Sequence, residues 1–293
     1  MRSAQRSRPS KMATALATTA GIVALTVPAG GASQASAPGA TTTAGAHQAA
    51  PRAQSKPTIV LVHGAWADGS SWAAVTAQLH AAGYQVYVAE NPLRGVKSDA
   101  AYIKSYLSMV PGPIVLVAHS YGGMVITKAA RGNKNVKALV YVDAYIPKKG
   151  DSVGSLTGAK PGSSLAVADP TTVFTFAPIP QGGGNVDLFV KQDLFPSIFA
   201  GGVGHRKAAV LASGQRPLAA SALDEPLTTA PAWRSIPSWV LIGSADKVIP
   251  PAEQKVMAAR AHAHVRRIDA PHLSMVSNPG VVTQLIKRAA RHS

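Results

Sequence analysis

Short apolar runs alternate with longer helix-like segments along the chain from residue 58 onward. The runs are too short for helices and are rich in β-branched residues, which predicts buried parallel strands. They cover residues 58–62, 114–118, 136–142 and 238–243; residues 84–89 alternate like a strand, and residues 264–268 are predicted as a further strand. The segments between them, bounded by Gly or Pro, predict helices. These cover residues 73–82, 98–110, 124–130, 251–262 and 279–290.

This alternation predicts an α/β fold, in which helices cover both faces of a mostly parallel sheet and ligands bind at the carboxyl ends of the strands. The pattern breaks between about residues 147 and 231, where Gly, Pro and Ser interrupt short apolar segments. All five phenylalanines lie there: Phe174, Phe176, Phe189, Phe195 and Phe199. We predict that residues 147–231 form a cap inserted over the strand ends. Most of its rings are expected to pack the cap's own core, with one or two facing a ligand.

The first 57 residues differ from the rest of the chain. Four basic residues, Arg2, Arg6, Arg8 and Lys11, precede an Ala-, Thr- and Leu-rich stretch at 12–27, and small residues at 33–37 offer cleavage sites. This layout predicts a secretory signal peptide over residues 1–35, and therefore a secreted, extracellular protein. A membrane anchor is less favoured because Thr and Gly dilute the apolar stretch. The low complexity of residues 36–57 predicts a disordered linker, which leaves residues 58–293 as the folded domain.

The net charge and the cysteine content limit which partners the protein can bind and what can stabilise its fold. The formal net charge is +16, and about +12 remains when the four basic residues of the predicted signal peptide are left out. This balance permits electrostatic attraction to an anionic cell surface. No basic run with interleaved aromatic residues occurs, so nucleic-acid binding is not predicted. With no cysteine, the fold has no disulfides and depends on its core.

The clearest chemical signal follows the strand at 114–118. There His119-Ser120-Tyr121-Gly122-Gly123 leads directly into a predicted helix. A serine at a sharp turn between strand and helix is a nucleophile elbow, which exposes the hydroxyl at the edge of the sheet. Residues two positions before and after such a serine must be small. Gly122 satisfies this pattern, and Ala118 departs from Gly-x-Ser-x-Gly while remaining small.

A nucleophilic serine needs a base and an acid that orients the base. The expected chain order is serine, acid, histidine, each after a strand, and Ser120, Asp246 and His272 satisfy it. Asp143, at the end of the strand after the elbow helix, is the alternative acid. His119 is expected to support the structure, because a pleated strand turns its side chain away from that of Ser120.

The developing oxyanion needs two N–H donors. One is expected from Tyr121, the residue after the serine. The other is expected from the first loop, where Gly64 lets the backbone bend and makes the Ala65 N–H the first candidate and the Trp66 N–H the second. The sequence shows no cluster of His, Asp and Glu at metal-ligand spacing, so no metal or other cofactor is predicted.

These motifs resemble the α/β-hydrolase superfamily from about Pro57 to the end of the chain. The first loop with Trp66 and Trp72, the elbow at Ser120 and the segment around His272 are similar to a subgroup of small bacterial carboxylesterases, plant methylesterases and hydroxynitrile lyases. In the lyases a lysine directly follows the catalytic histidine. Leu273 stands here, so the resemblance implies ester hydrolysis. Ser120 in place of an aspartate disfavours dehalogenase relatives.

The resemblance and the residues together predict a secreted serine hydrolase that cleaves carboxylic esters or lactones through an acyl-enzyme intermediate. The expected substrate is a small apolar ester. Two alternatives stay open at this point. One is a cofactor-free perhydrolase of the haloperoxidase type with the same triad, and the other is a non-catalytic ligand-binding protein on the same fold.

Overall fold

The computed structural model describes residues 56–293. The predicted signal peptide and nearly all of the predicted linker lie outside the described residues. Within residues 56–293, no helix is both long and apolar enough to cross a membrane.

Six parallel strands form the central sheet, in the order β2-β1-β3-β4-β8-β9. Their bounds are Thr58–Val62 for β1, Val86–Ala89 for β2, Ile114–His119 for β3, Val136–Val142 for β4, Ser238–Gly243 for β8 and His264–Ile268 for β9. In the middle of the sheet, Leu116 of β3 is in register with Val60 of β1 and Leu139 of β4. Strands β1 and β3 are buried along their whole length, which explains their continuous apolar runs. The predicted α/β class is confirmed.

Two pairs of helices cover this sheet. They are α1 (Ala73–Ala81) with α10 (Pro279–Ala290), and α2 (Val96–Ser108) with α3 (Gly122–Ala129). The chain moves from β1 outward to β2 and then back across β1 to β3. Because parallel crossovers are right-handed, this reversal places α1 on one face and α2 and α3 on the other. Helix α8 (Pro251–Arg260) lies between β8 and β9 in the chain.

Several predicted boundaries shift by two residues, and local hydrogen bonds explain two of these shifts. Strand β2 begins at Val86 rather than at residue 84, because the Tyr84 N–H donates to Leu79 O and completes the turn after α1. Helix α2 begins at Val96 rather than at residue 98. The Asp99 carboxylate accepts the N–H groups of Arg94 and Gly95, which caps the helix start.

The segment predicted as a cap has structure that the sequence did not indicate. A three-stranded antiparallel sheet is formed by β5 (Phe174–Pro178), β6 (Val186–Val190) and β7 (Leu218–Ala219). Four short helices accompany it: α4 (Val153–Thr157), α5 (Phe195–Ile198), α6 (His205–Ser213) and α7 (Ser221–Asp224). A last short helix, α9 (Ser274–Ser277), follows β9.

Candidate active site

Ser120 lies in the turn between β3 and α3 with a strained backbone. Its φ of 51° falls in the left-handed region, which is costly for a residue with a side chain. The turn is held by the Ser120 carbonyl, which accepts the N–H groups of Gly123 at 2.9 Å and Tyr145 at 3.2 Å. Close approach explains two glycines nearby. A Cβ on Gly64 would lie 2.6 Å from Ser120 Cβ, and one on Gly122 would lie 2.9 Å from His63 O.

The structure brings Ser120, His272 and Asp246 into one hydrogen-bonded line. The Ser120 hydroxyl donates to His272 Nε2 at 2.9 Å, and His272 Nδ1–H donates to Asp246 Oδ2 at 2.8 Å. All three side chains follow β-strands at the carboxyl edge of the sheet. They are shielded from solvent, with relative exposures of 2% for Ser120, 0% for His272 and 4% for Asp246. This is the geometry that a serine nucleophile, its base and an orienting acid require.

Asp246 is fixed by donors other than the histidine. Its Oδ1 accepts the N–H groups of Val248 at 2.7 Å and Ile249 at 3.0 Å, and its Oδ2 accepts Gln254 Nε2 at 2.7 Å. Gln254 also donates to Ile249 O, so its amide is itself oriented. Gln254 was not among the site residues that the sequence predicted. Its position on α8, eight residues after the acid, carries no recognisable signal.

Asp143, the alternative acid, is buried close by but makes different contacts. It accepts the N–H of Gly243 at 2.7 Å and that of Ser274 at 3.3 Å. These bonds tie the end of β4 to β8 and to the loop after His272. Asp246, not Asp143, bonds the imidazole.

Burial dominates the electrostatics of the triad. It lowers the pKa of His272 to about 3, which keeps the imidazole neutral and able to accept the serine proton at neutral pH. Burial also raises the pKa of Asp246, and its three donors from Val248, Ile249 and Gln254 oppose that effect by stabilising the ionised carboxylate. Burial and the nearby Asp246 charge raise the pKa of Asp143.

Two backbone N–H groups beside Ser120 are available to an oxyanion. Those of Ala65 and Tyr121 donate no hydrogen bond among residues 56–293, and both residues line the cavity next to Ser120. The Trp66 N–H, the second candidate from the sequence, donates to Arg216 O at 3.1 Å and is therefore occupied. The Ala65 and Tyr121 N–H groups stand as the candidate oxyanion donors.

Two further buried histidines support the site. His63 Nδ1–H donates to Gly64 O, and His63 Nε2 accepts the Asn91 N–H at 3.0 Å, which fixes the first loop with a neutral ring. His119 Nε2–H donates to His272 O at 3.0 Å, and the two rings lie 4.6 Å apart. The expected supporting role of His119 therefore has a specific partner, the backbone of the candidate base.

We expect His119→Gln to make the fold less sensitive to acid. Burial, followed by the neighbouring His272, lowers the pKa of His119 well below its ordinary value of 6.5. The unfolded chain therefore binds a proton at His119 below pH 6.5 while the folded state does not, so stability falls as the pH falls. Between pH 6.5 and 5.5 this group should cost the wild type about 1 kcal/mol of unfolding free energy.

Urea unfolding of both proteins at pH 6.5 and 5.5 measures this difference. The wild type should lose about 1 kcal/mol more than His119→Gln over that interval. Measurements at pH 7.5 and 8.5, where both states leave the ring neutral, provide the control. An identical loss in the two proteins between pH 6.5 and 5.5 would contradict the expectation.

An apolar cavity of about 150 Å³ opens next to Ser120. Its apolar lining includes Val153, Leu165, Phe174, Leu218, Leu223 and Val248. Its polar lining includes Tyr145 and Thr157, whose hydroxyls bond each other at 2.7 Å, and Thr157 donates onward to Val153 O. Of the cap's phenylalanines, Phe174 faces this cavity, while Phe195 and Phe199 stack on each other in the core.

Among residues 56–293, no group of three or more His, Cys, Asp and Glu side chains is placed to hold a metal ion. The chemistry that this arrangement can perform with its own groups is nucleophilic attack by an activated hydroxyl on a polarised carbonyl carbon.

Comparisons with known proteins agree with this architecture. The alpha/beta hydrolase family matches residues 59–285. A carbendazim-hydrolysing esterase of Nocardioides sp. (strain SG-4G) is 36% identical over 111 residues, which is 33% of this chain and 46%, or about half, of that relative. The alpha/beta hydrolase nvfD of Aspergillus novofumigatus (strain IBT 16806) is 26% identical over 80% of this chain and 97% of its own. The crystal structure of polyneuridine aldehyde esterase superposes with a TM-score of 0.67 at 18% identity, over 80% of this chain and 98% of its own.

Proposed function

Because this chain belongs to the alpha/beta hydrolase family, we propose that it is a serine hydrolase that cleaves carboxylic esters or lactones by way of an acyl-enzyme intermediate. The observation that carries the proposal is the unbroken hydrogen-bonded line from the Ser120 hydroxyl through His272 to Asp246. The names of two similar proteins, the Nocardioides esterase and polyneuridine aldehyde esterase, support ester hydrolysis.

In the proposed mechanism, His272 Nε2 removes the Ser120 proton as Oγ attacks the ester carbonyl. The oxygen of the tetrahedral intermediate receives hydrogen bonds from the Ala65 and Tyr121 N–H groups. Asp246 holds the imidazole by its Nδ1–H and stabilises the positive charge that develops on it. His272 then protonates the leaving alcohol. Water, activated by the same nitrogen, releases the acid and restores the Ser120 hydroxyl.

We expect the cavity next to Ser120 to limit the size of the acyl group. An apolar cavity of about 150 Å³ holds a group the size of benzene. The kcat/KM for p-nitrophenyl esters should therefore be highest for acyl chains of up to about six carbons and fall for longer chains. Leu165→Ala, which enlarges the lining, should shift the optimum toward longer chains, whereas Val210→Ala on the exposed surface should not.

The same assay separates the proposal from the two alternatives. Rates that rise continuously to the decanoate would contradict the size limit. Peroxide-dependent activity exceeding hydrolysis would favour a perhydrolase. Tight ligand binding by the folded chain without turnover would favour a binding protein.

We also propose that the chain is exported and held electrostatically at an anionic cell surface. The N-terminal pattern of basic, apolar and small residues supports export. Arg266 of strand β9 and Arg288 of helix α10 line one surface cavity and bring two positive charges together there. Culture fractionation tests this: the full chain should leave the cytoplasm and be washed from cells by salt, while deletion of residues 1–35 should retain it inside. An exported chain that salt does not move would contradict the attraction.

A further inference from the structure

We propose that Trp66 is a positioning residue that fastens the oxyanion loop to the cap, so that the oxyanion hole is complete only while the cap sheet is docked on the core. The inference rests on the proposed function, because the oxyanion hole is the one assigned there to Ala65 and Tyr121. It adds a residue that lines the cavity beside Ser120 and acts on the reacting atoms only through the neighbouring Ala65 N–H.

The backbone of Trp66 needs external support. Its φ of 57° lies in the left-handed region, where a bulky residue is strained. Such a conformation persists only where surrounding contacts impose it. Because Trp66 directly follows Ala65, a relaxation of Trp66 would turn the Ala65–Trp66 peptide and shift Ala65, whose N–H is the candidate oxyanion donor.

The contacts that impose this conformation come from the cap. The indole Nε1–H donates to Leu188 O of strand β6 at 2.8 Å, and the Trp66 backbone N–H donates to Arg216 O at 3.1 Å. The indole ring stacks on Phe174 of β5 at 5.5 Å and meets the edge of Phe199 at 5.4 Å. The side chain is only 4% exposed, so its donor has no access to bulk water as a replacement.

The other side of the loop is fastened to the core. His63 bonds Gly64 O and the Asn91 N–H, and the Asn91 side chain donates back to His63 O at 3.0 Å. Ala65 therefore lies between one anchor in the core and one in the cap. Arg216 also links the cap to the core directly. Its carbonyl accepts the Trp66 N–H, and its guanidinium pairs with Glu90 on the core side.

The cap also contacts the candidate base. The Phe199 ring is nearly perpendicular to the His272 ring, with 5.2 Å between the ring centroids, and it also contacts the Trp66 indole. A separation of the cap from the core would break the indole bond to Leu188 O and the Phe199 contact with His272 together. Closure restores both, which couples substrate enclosure to assembly of the site.

Trp66→Phe tests the inference, because it keeps an aromatic ring in the cluster and removes the indole donor. We expect kcat to fall by about 10- to 100-fold and KM to change by less than about threefold. This is the pattern of a variant that loses a hydrogen bond made only in the transition state. Phenylboronic acid, whose tetrahedral adduct on Ser120 uses the oxyanion hole, should bind more weakly by a similar factor. Inhibition by the product carboxylate, which is trigonal, should change little.

Trp233→Phe is the matched control. Its indole also donates to a backbone carbonyl at 2.8 Å, that of Pro147, away from the oxyanion loop. This variant should keep the wild-type kcat and phenylboronic acid affinity. Trp66→Tyr, which restores a donor on an aromatic ring, should give a kcat between those of wild type and Trp66→Phe, and it provides the test if Trp66→Phe does not fold.

The outcomes separate this inference from the proposed function. If Ser120→Ala hydrolyses esters as fast as wild type, both fall. If Ser120→Ala is inactive but Trp66→Phe matches Trp233→Phe in kcat and in phenylboronic acid affinity, the positioning role of Trp66 alone is overturned. A change confined to KM would also overturn it, because it would assign Trp66 to substrate binding.

Discussion

Replacing Ser120 by alanine should lower kcat for a p-nitrophenyl ester by about four to six orders of magnitude. The variant keeps the cavity and the candidate oxyanion donors but has no atom to form the acyl-enzyme. Residual turnover should stay above the uncatalysed rate, because oriented donors still stabilise attack by water. Mass spectrometry with a fluorophosphonate should label Ser120 in the wild type and leave Ser120→Ala unmodified.

Ser238→Ala is the matched control for this experiment. Ser238 is also buried, at the start of β8, the opposite end of the sheet from the site, and its hydroxyl contacts a backbone carbonyl. It should retain the wild-type kcat and be labelled at Ser120. Equal ester hydrolysis by wild type and Ser120→Ala would remove this serine from the mechanism.

The two buried aspartates should respond very differently to conversion into asparagine. Asp246→Asn is expected to lower kcat about 10⁴-fold, because an amide facing His272 Nδ1 no longer selects the tautomer that leaves Nε2 free to accept the serine proton. Asp143→Asn should lower kcat by less than about tenfold, because its contacts are the N–H groups of Gly243 and Ser274.

The pair of variants decides which aspartate is the acid of the triad. Thermal unfolding of each variant shows whether a lost rate reflects lost structure, since both side chains are buried. A 10⁴-fold loss in folded Asp143→Asn with a small loss in Asp246→Asn would reverse the assignment.

The sequence predicted the central sheet well because parallel strands buried on both faces are continuous apolar runs. Ile114 to Ala118 and Ala138 to Val142 are such runs, and the loops after them carry the chemistry. The candidate triad residues lie at strand ends, a position that sequence order alone identifies. The identity of the three candidate triad residues is therefore the part of the site that the sequence predicts best.

The secondary structure of the cap could not be predicted from the sequence, for a physical reason. Strand β7 has two residues and pairs with β6 some thirty positions earlier, so no local periodicity marks it. No local pattern marks the contacts of Gln254 or of the Trp66 indole either, and the partner of the indole, Leu188, is 122 residues away. Such contacts depend on tertiary placement rather than on residue spacing.

The last strand of the sheet, β9, has consequences for how copies of this protein behave at high concentration. Among residues 56–293 it pairs only with β8, so its outer side is an edge of the described sheet at which another chain could add a strand and start aggregation. Four of its five residues are exposed, and Arg266 and Arg267 are consecutive, so their side chains lie on opposite faces. A second copy aligned along this edge would bring arginines of both chains together on both faces. Repulsion between these like charges opposes the addition of a second copy at this edge.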